Sequence, residues 1–275
     1  MSTYNDPLFD LNGQVVAITG AGGVICGAMA RELGARGAKI ALLDLALEAA
    51  EKVASEIKAD GGEAIAVKCN VLELEAVKAA YQEVTDAFGR VDILVNGAGG
   101  NKKEATTGPD MSFFDIPADA LRFVVDLNLL GSVLPSQVFG KGMADQKSGV
   151  IINISSMNSF RPLTKIVGYS AAKAAINNFT QWLAVHIAQN YSHDIRVNAI
   201  APGFFETAQN KFLLRTESGD LTPRGQQIVD HTPQGRFGEP ADLMGTLVWL
   251  LSPGAKFVTG IVVPIDGGFS AFSGV

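Results

Sequence analysis

The sequence predicts an α/β fold in which seven parallel strands form one doubly wound sheet, built as a single domain over residues 1–275. Short β-branched runs alternate with longer runs of helical periodicity along the whole chain. The strand runs are apolar at successive positions, which is typical of strands covered by helices on both faces. No shift in composition marks a domain boundary. These observations favour one doubly wound sheet over two small domains.

The elements can be placed in order from the apolar runs and from the glycines that end them. A helix ending at Arg36 follows the first strand, and helices at 46–60 and 73–88 stop at Gly61 and Gly89, as helices commonly do. Later helices are predicted at 118–145, 168–189 and 240–251. The seven strands are predicted at 15–19, 39–44, 64–68, 92–96, 150–155, 196–201 and 261–266.

Composition argues against several classes of partner. The net charge is −6, the pI is about 5.1 and no Lys/Arg block occurs, so we expect no nucleic-acid partner. The first ten residues lack the pattern of a signal peptide, and no apolar run approaches the ~18 residues that span a bilayer. We therefore expect a cytoplasmic protein without membrane contact. The two cysteines, Cys26 and Cys69, have no metal or disulfide spacing, so no metal site is expected.

Two long connections interrupt the alternation of strands and helices. They cover residues 99–117 and 204–239, and each follows a strand at its carboxyl end. Connections of this length inside a compact domain are usually functional loops, and ligands bind at the carboxyl ends of such strands. We therefore expect both to be substrate loops.

A glycine-rich turn after the first strand predicts a dinucleotide site. Gly20, Gly22 and Gly23 would let backbone N–H groups approach a pyrophosphate at a helix N-terminus. Asp44 ends the second strand at the spacing of an acid that binds the adenosine ribose hydroxyls and repels a 2′-phosphate. This pattern favours NAD over NADP. The alternatives are a tight turn without a ligand and an Asp44 that only caps the helix beginning near Ala46.

Tyr169 and Lys173 lie four residues apart in a predicted helix, so both side chains share one face. A nearby ammonium favours the phenolate and would lower the pKa of the tyrosine. The Ser156 hydroxyl, at the end of a separate strand, could hold a substrate oxygen beside the phenol. This set can move a proton on and off a carbinol oxygen. The alternative is an aromatic core residue beside a surface lysine.

Several motifs in order resemble the short-chain dehydrogenase/reductase superfamily over nearly the whole chain. They are the turn at 19–23, the segments 96–99, 126–131 and 153–156, the pair Tyr169 and Lys173, and the segments 196–203 and 266–268. The resemblance implies a Rossmann-type fold and an NAD(P)-dependent enzyme acting on CH–OH groups. It also implies a homotetramer that pairs through the helices at 118–145 and 168–189 and through the last strand. Four alanines offer a small-residue surface for such pairing: Ala171, Ala172, Ala174 and Ala175.

The same resemblance implies roles for individual residues. Tyr169 would be the general acid or base, and Lys173 would lower the pKa of Tyr169 and bind the nicotinamide ribose. Ser156 would hold the carbonyl oxygen, and Asn128 would support a water that links Lys173 to solvent. The implied cofactor residues are Gly20, Gly22, Gly23, Val24, Ile25, Asp44, Asn70, Val71, Asn96, Ala98, Gly99, Tyr169, Lys173, Pro202, Gly203, Phe205 and Thr207.

The chain departs from the family pattern in its nucleotide-binding turns. Val24 and Cys26 stand where the family usually carries the last two glycines of its turn, and valine does not readily adopt a positive φ. Gly97 replaces a common asparagine, and Asn70 replaces the usual aspartate after the third strand. These departures put the geometry of the turn in question more than the binding.

A further set of segments carries a resemblance within the superfamily: 99–101, 126–131, 134–139, 155–157, 202–207 and 267–275, together with Gln209 and Asn210. They resemble the bacterial sugar-acid branch, the short-chain fructuronate reductases (D-mannonate oxidoreductases), with gluconate 5-dehydrogenases as neighbours. The expected substrate is a keto sugar acid, with one of Lys102, Lys103, Arg161 and Arg215 pairing with its carboxylate. Polyol dehydrogenase, 3-oxoacyl reductase and a non-catalytic binding protein are the alternatives. The implied substrate residues are Asn101, Lys102, Ser156, Asn158, Tyr169, Gln209 and Asn210.

Overall fold

One parallel sheet organises the chain. The computed structural model describes residues 6–206 and 211–274, and within them seven strands pair in the order β3-β2-β1-β4-β5-β6-β7. All six neighbouring pairs are parallel. The predicted doubly wound α/β class is confirmed. The strands are β1 Val15–Thr19, β2 Lys39–Asp44, β3 Glu63–Lys68, β4 Ile93–Asn96, β5 Gly149–Ile154, β6 Ile195–Pro202 and β7 Val262–Ile265.

The helices agree with the periodicity except in the second long connection. Two of them, α7 Lys211–Leu214 and α8 Pro223–Asp230, lie within residues 204–239, which were predicted as a loop. Pro223 follows the N-cap Thr222, whose hydroxyl accepts from Gly225 N at 3.0 Å. The remaining helices are α1 Val24–Ala35, α2 Leu47–Ala59, α3 Leu74–Phe88, α4 Ala118–Val125, α5 Gly131–Gln146, α6 Val167–Asn190 and α9 Ala241–Leu251.

Both faces of the sheet are buried, because alternate residues of each strand face opposite layers. On one face Val16 and Ile18 of β1 pack in a cluster with residues of α1, α2 and α9. On the other face Val15 and Ala17 pack with residues of α3, α5 and α6. Burial on both sides explains why the strands read as continuous apolar runs.

Helices α4 and α5 are joined by a wider π-helical turn, Asp126–Leu130. The continuous helix Ala118–Gln146 is long and apolar enough to cross a membrane by length and composition, which the sequence reading had not anticipated. In the structure it packs against α3, α6 and the sheet. Its buried residues include the polar Asn128, Ser132 and Ser136, each with hydrogen-bond partners. We therefore interpret it as a core helix of the fold.

The chain reverses its winding direction between β1 and β4. From β1 it builds outward through β2 and β3, and it then returns to place β4 on the other side of β1. The connections that leave these two strands therefore diverge, and a crevice opens at their carboxyl ends. Thr19 and Asn96, the last residues of β1 and β4, are partners in the register. The predicted glycine-rich turn and the 96–99 segment meet at this point.

Candidate active site

The turn after β1 is held closely against the segment after β4. Thr19 Oγ1 accepts from Gly97 N at 3.0 Å and from Ala98 N at 3.1 Å. Gly20 has a φ of +66°, and a Cβ there would lie 2.9 Å from the backbone of Ala98. Only glycine fits this position, because both the backbone conformation and the close approach exclude a side chain.

The departures at Val24 and Cys26 leave the turn geometry intact. Gly23 is the N-cap of α1 with a φ of −71°, and Val24 is the first helical residue. Among the described residues, Lys147 is the one non-glycine with a positive φ. Neither Val24 nor Cys26 therefore needs the left-handed conformation. Because α1 begins at Val24, the two departures from the family pattern do not disturb the conformation of the turn.

The Cys26 side chain fills the space that a side chain at position 97 would need. A Cβ on Gly97 would overlap Cys26 Sγ and would lie 2.8 Å from Thr19 O. The family pattern places a glycine where this chain has Cys26 and an asparagine where it has Gly97. The two departures therefore compensate each other. Burial raises the pKa of the Cys26 thiol to about 12, so we assign it a packing role.

A cleft of about 630 Å³ opens at these turns, within the range of small-ligand sites. It contains most of the predicted cofactor residues: Gly20, Gly22, Gly23, Val24, Ile25, Asp44, Asn70, Val71, Ala98, Gly99, Gly203 and Phe205. Sequence reasoning missed several other lining residues: Leu45, Ala46, Ala49, Cys69, Leu127 and Phe204. Leu45 could have been suspected, because it directly follows the predicted acid.

The Asp44 carboxylate lies in the cleft wall and is oriented by backbone donors. Its Oδ2 accepts from Gly22 N at 2.8 Å and its Oδ1 accepts from Ala46 N at 2.9 Å. The second contact matches the capping alternative raised from the sequence. The first ties the acid to the glycine-rich turn. Each carboxylate oxygen has a further lone pair, so both can also accept from ribose hydroxyls.

Asn70 and Asn96 are both engaged within the protein. Asn70 Oδ1 accepts from Leu72 N, and its Nδ2 donates to Glu73 Oε1 at 2.7 Å. Asn96 Nδ2 donates to Asn153 Oδ1 at 2.8 Å and to Ser136 Oγ at 2.9 Å, inside the fold. The Asn96 side chain thus joins β4 to β5 and α5, and neither Asn96 nor Pro202 is among the residues of the cleft wall. Their cofactor contacts stay predictions, as does that of Thr207, which lies outside the described residues.

Ser156, Tyr169 and Lys173 come together at the end of β5 and the first turns of α6. Burial raises the pKa of the Tyr169 phenol above its ordinary value, and a hydrogen bond with the Ser156 hydroxyl opposes that shift. Lys173 Nζ lies 5.5 Å from the centre of the Tyr169 ring and donates to Ile154 O at 2.7 Å. The predicted grouping of the three residues is therefore present.

The expected lowering of the Tyr169 pKa by Lys173 is not seen in the free protein. Burial lowers the pKa of the Lys173 ammonium to about 8, because its charged form is disfavoured away from water. The same desolvation is the dominant effect on the phenol. Each group is thus pushed toward its neutral form. We expect the phenol to be a proton donor at neutral pH, with its base strength dependent on what binds beside it.

Asn128 links this group to the nucleotide cleft. Its Nδ2 donates to Gly100 O and to Val124 O, both at 2.7 Å, and its Oδ1 accepts from Gly100 N at 3.2 Å. A Cβ on Gly99 would lie 2.7 Å from Asn128 Oδ1 and 3.3 Å from Lys173 Nζ. Gly99 therefore lies between the cleft and Lys173. Both N–H donors of Asn128 are used by the protein, so its role in holding a water stays a prediction.

The predicted substrate residues are only partly brought together. Asn158 is buried beside Ser156, and its Oδ1 has no hydrogen-bond partner among the described residues. Such an oxygen calls for a donor from water or ligand. Asn101 is exposed and donates to Thr106 Oγ1 at 2.8 Å, while Lys102 Nζ lies 5.3 Å from the centre of the Phe123 ring. Gln209 and Asn210 lie outside the described residues.

Comparison with known proteins gives relatives that extend over nearly the whole chain. A family model described as short chain dehydrogenase matches residues 14–218. An uncharacterized oxidoreductase of Haemophilus influenzae is 50% identical over 277 residues, covering 97% of this chain and 96% of the relative. The 5-keto-D-gluconate 5-reductase of Escherichia coli K12 is 33% identical over 261 residues, covering 95% of this chain and 97% of the relative.

Solved structures agree with these matches. A crystal structure from Haemophilus influenzae, provisionally assigned as a D-mannonate oxidoreductase and holding bound NAD, has a TM-score of 0.91 at 50% identity. It covers 97% of this chain and 98% of its own. A provisionally assigned gluconate dehydrogenase from Agrobacterium tumefaciens has a TM-score of 0.86 at 28% identity, covering 97% of this chain and all of its own.

Gly97→Ala tests the compensation between Cys26 and Gly97. The added methyl group should destabilise the protein by ~1–3 kcal/mol, as overpacking does. In the Cys26→Gly background the same change should cost at least ~0.5 kcal/mol less, because the contacting sulfur is gone. The free energies of unfolding of wild type, Gly97→Ala, Cys26→Gly and the double variant, measured by chemical denaturation, give this coupling. Gly100→Ala is the matched control, since a Cβ there meets nothing within 4 Å. Equal costs in both backgrounds would contradict the compensation.

Proposed function

This chain belongs to the short-chain dehydrogenase family, and on that premise we propose that it is an NAD-dependent oxidoreductase that interconverts a keto sugar acid and its hydroxy acid. D-Fructuronate and D-mannonate are the first candidate pair. The observation that carries the proposal is the grouping of Ser156, Tyr169 and Lys173 beside a cleft shaped for a dinucleotide. The 50% identical structure with bound NAD, provisionally a D-mannonate oxidoreductase, supports both the cofactor and the substrate class.

The chain's own residues supply the proton chemistry. Tyr169 would donate its phenolic proton to the substrate carbonyl oxygen during reduction and accept it back during oxidation. The Ser156 hydroxyl would hold the same oxygen, which fits its opposing effect on the raised pKa of the Tyr169 phenol. Bound NAD supplies the hydride acceptor or donor. Because oxidation needs the phenolate, its rate should rise with pH, whereas reduction needs the protonated phenol.

Asp44 favours NAD over NADP in this cleft. Its carboxylate is held in the wall by Gly22 N and Ala46 N. No lysine or arginine is among the described residues of the cleft wall that could balance a 2′-phosphate. A fixed negative charge without a neighbouring cation would repel that group, whereas two ribose hydroxyls could donate to it.

A gluconate-type 5-dehydrogenase is the second candidate. The 33% identical E. coli relative reduces 5-keto-D-gluconate by its name, and this sugar acid carries the same two functional groups, a ketone and a carboxylate. Asn158 Oδ1, buried and unpartnered among the described residues, suits a sugar hydroxyl near Ser156 in either case. We further propose that residues 99–117 and 204–239 form the substrate loops and that the protein acts in the cytoplasm.

Reduction of fructuronate by NADH, monitored as the loss of NADH absorbance, tests both the proposed reaction and Tyr169 as its general acid. Wild-type protein should reduce the keto sugar acid. Tyr169→Phe should lower kcat by ~10²–10⁴-fold while NAD affinity, measured by fluorescence titration, stays nearly unchanged. Tyr191→Phe, at the exposed end of α6, is the matched control and should retain activity. A Tyr169→Phe enzyme with more than about a tenth of wild-type kcat would exclude the phenol as general acid.

Asp44→Ala tests the choice of cofactor. Loss of a charged acceptor for two hydroxyls should weaken NAD binding by roughly tenfold or more, since such hydrogen bonds contribute ~1.5–3 kcal/mol. Affinity for NADP should improve relative to NAD. Asp44→Asn removes the charge and keeps one acceptor, so its NAD affinity should lie between those of wild type and Asp44→Ala. If the wild type binds NADP more tightly than NAD, this assignment of Asp44 is wrong.

We also propose that the protein is a homotetramer, and the mass of the assembly in solution tests this proposal. The outer face of α6 exposes Trp182 and Val185, and β7 is an edge strand. Of the four alanines in α6, Ala171 and Ala174 are exposed, whereas Ala172 is buried within the monomer. Light scattering should give four times the 28.9 kDa of the chain. Trp182→Glu should lower that mass, and Ala59→Glu on α2 should not. A persistent mass near 28.9 kDa would contradict the proposal.

A further inference from the structure

A second cavity, of about 640 Å³, adjoins the nucleotide cleft. Its walls come from residues 161–165, from helix α8 and from the C-terminal segment after β7. Phe204 lines both this cavity and the cleft, so the two spaces meet at that ring. Residues 161–165 lie between the turn that carries Ser156 and the helix that carries Tyr169. The cavity is therefore placed to receive the part of a substrate that extends away from the reacting carbon.

Three cations line this cavity, and none of the described residues in its wall is acidic. They are Arg161, Lys165 and Arg224. None of the three forms an ion pair with another described residue. The chain as a whole carries a net charge of −6. Three unpaired cations in one concave site of an acidic protein create a local positive potential that attracts an anion.

The other cations predicted to reach the substrate are placed differently. Arg215 Nε donates to Glu206 Oε2 at 2.7 Å, so its charge is already compensated. Lys102 is exposed, as the three cavity cations are, but its Nζ lies over the ring of Phe123. Neither is among the residues of the cavity wall. Arg161, by contrast, is held in place by its Nε, which donates to Ser270 O at 3.1 Å, and its terminal N–H groups form no hydrogen bond with another described residue.

An aromatic wall strengthens the site. The His231 ring lies 4.5 Å from that of Phe269 and 5.1 Å from that of Phe272, and Phe269 lies 5.2 Å from Phe204. These rings join α8, the C-terminal segment and the mouth of the cleft. They place apolar surface along one side of the cavity, and apolar surroundings strengthen the attraction between a cation and a bound carboxylate.

We propose that Arg161, Lys165 and Arg224 form the carboxylate-binding subsite of the substrate cavity and so select acids over neutral sugars. This inference rests on the proposed function, because it names the recognition element for the same substrate class. Arg161, Lys165 and Arg224 are exposed at this open cavity, and a bound carboxylate would be attracted by all three charges while it keeps contact with water. Arginine also offers two parallel N–H donors that match the two carboxylate oxygens.

The test compares a keto sugar acid with the matching neutral ketose in wild type and in Arg161→Met, Lys165→Met and Arg224→Met. Methionine keeps much of the apolar stem and removes the charge. The acid-to-neutral ratio of kcat/KM should fall about tenfold or more in Arg224→Met and Arg161→Met, and less in Lys165→Met. The change should be mainly in KM, because the carboxylate contact is made before the hydride moves. Arg224→Lys should recover part of the loss.

Two controls separate recognition from folding. Lys256→Met, an exposed lysine outside the cavity wall, should leave the ratio unchanged. NAD affinity should match wild type in every variant, since none of the three cations lines the nucleotide cleft. Melting temperature should match wild type in Lys165→Met and Arg224→Met, whereas Arg161→Met also loses the hydrogen bond to Ser270 O and should melt slightly lower.

Two outcomes would overturn the inference, and they differ in whether the proposed function also fails. A wild-type enzyme that turns over the acid and the neutral ketose equally would remove the proposed substrate class together with this subsite. A wild-type preference for the acid that persists in all three variants would overturn the subsite alone and leave the proposed function standing.

Discussion

The two hydrogen bonds that Thr19 accepts at the reversal of the sheet are the constraint on which the whole site depends. They hold the segment after β4 against the turn after β1, where the outgoing connections diverge. Gly20 permits that approach because a side chain there would meet Ala98. The same segment continues to Gly99, which lies against Asn128 and near Lys173. The cleft and the group of Ser156, Tyr169 and Lys173 are therefore parts of one packed unit.

Burial sets the electrostatics of that group before any ligand binds. Desolvation raises the pKa of Tyr169 and lowers the pKa of Lys173 to about 8, so each charged form is disfavoured. The Ser156 hydroxyl is the described neighbour that favours the phenolate. A positively charged nicotinamide, as in the proposed NAD⁺ complex, would favour it further. The base needed for oxidation would then form mainly in the complex that uses it.

The two cavities carry opposite charge, which fits the two proposed ligands. The nucleotide cleft has Asp44 and no cation among its described lining residues, an arrangement that disfavours an added 2′-phosphate. The adjoining cavity has three cations and no described acid. Phe204 stands between them. On the two proposals, a fold shared by many dehydrogenases would set cofactor and substrate preference with a few side chains at a strand end, in one loop and on α8.

The sequence by itself determined the strands, the glycine-rich turn and the pairing of Tyr169 with Lys173, because strand periodicity and helical spacing are local properties. Ser156 was joined to that pair by the order of the family's motifs. Tertiary structure decided what depends on contacts between distant segments. It showed that Cys26 and Gly97 compensate each other and that the Asn96 side chain lies inside the fold. It paired one of the predicted cations, Arg215, with Glu206. It also brought Arg224, which the sequence had not indicated, to the cavity beside the cleft on a helix in a segment predicted as a loop. No local pattern encodes which loop charges meet, because that depends on how the loops pack.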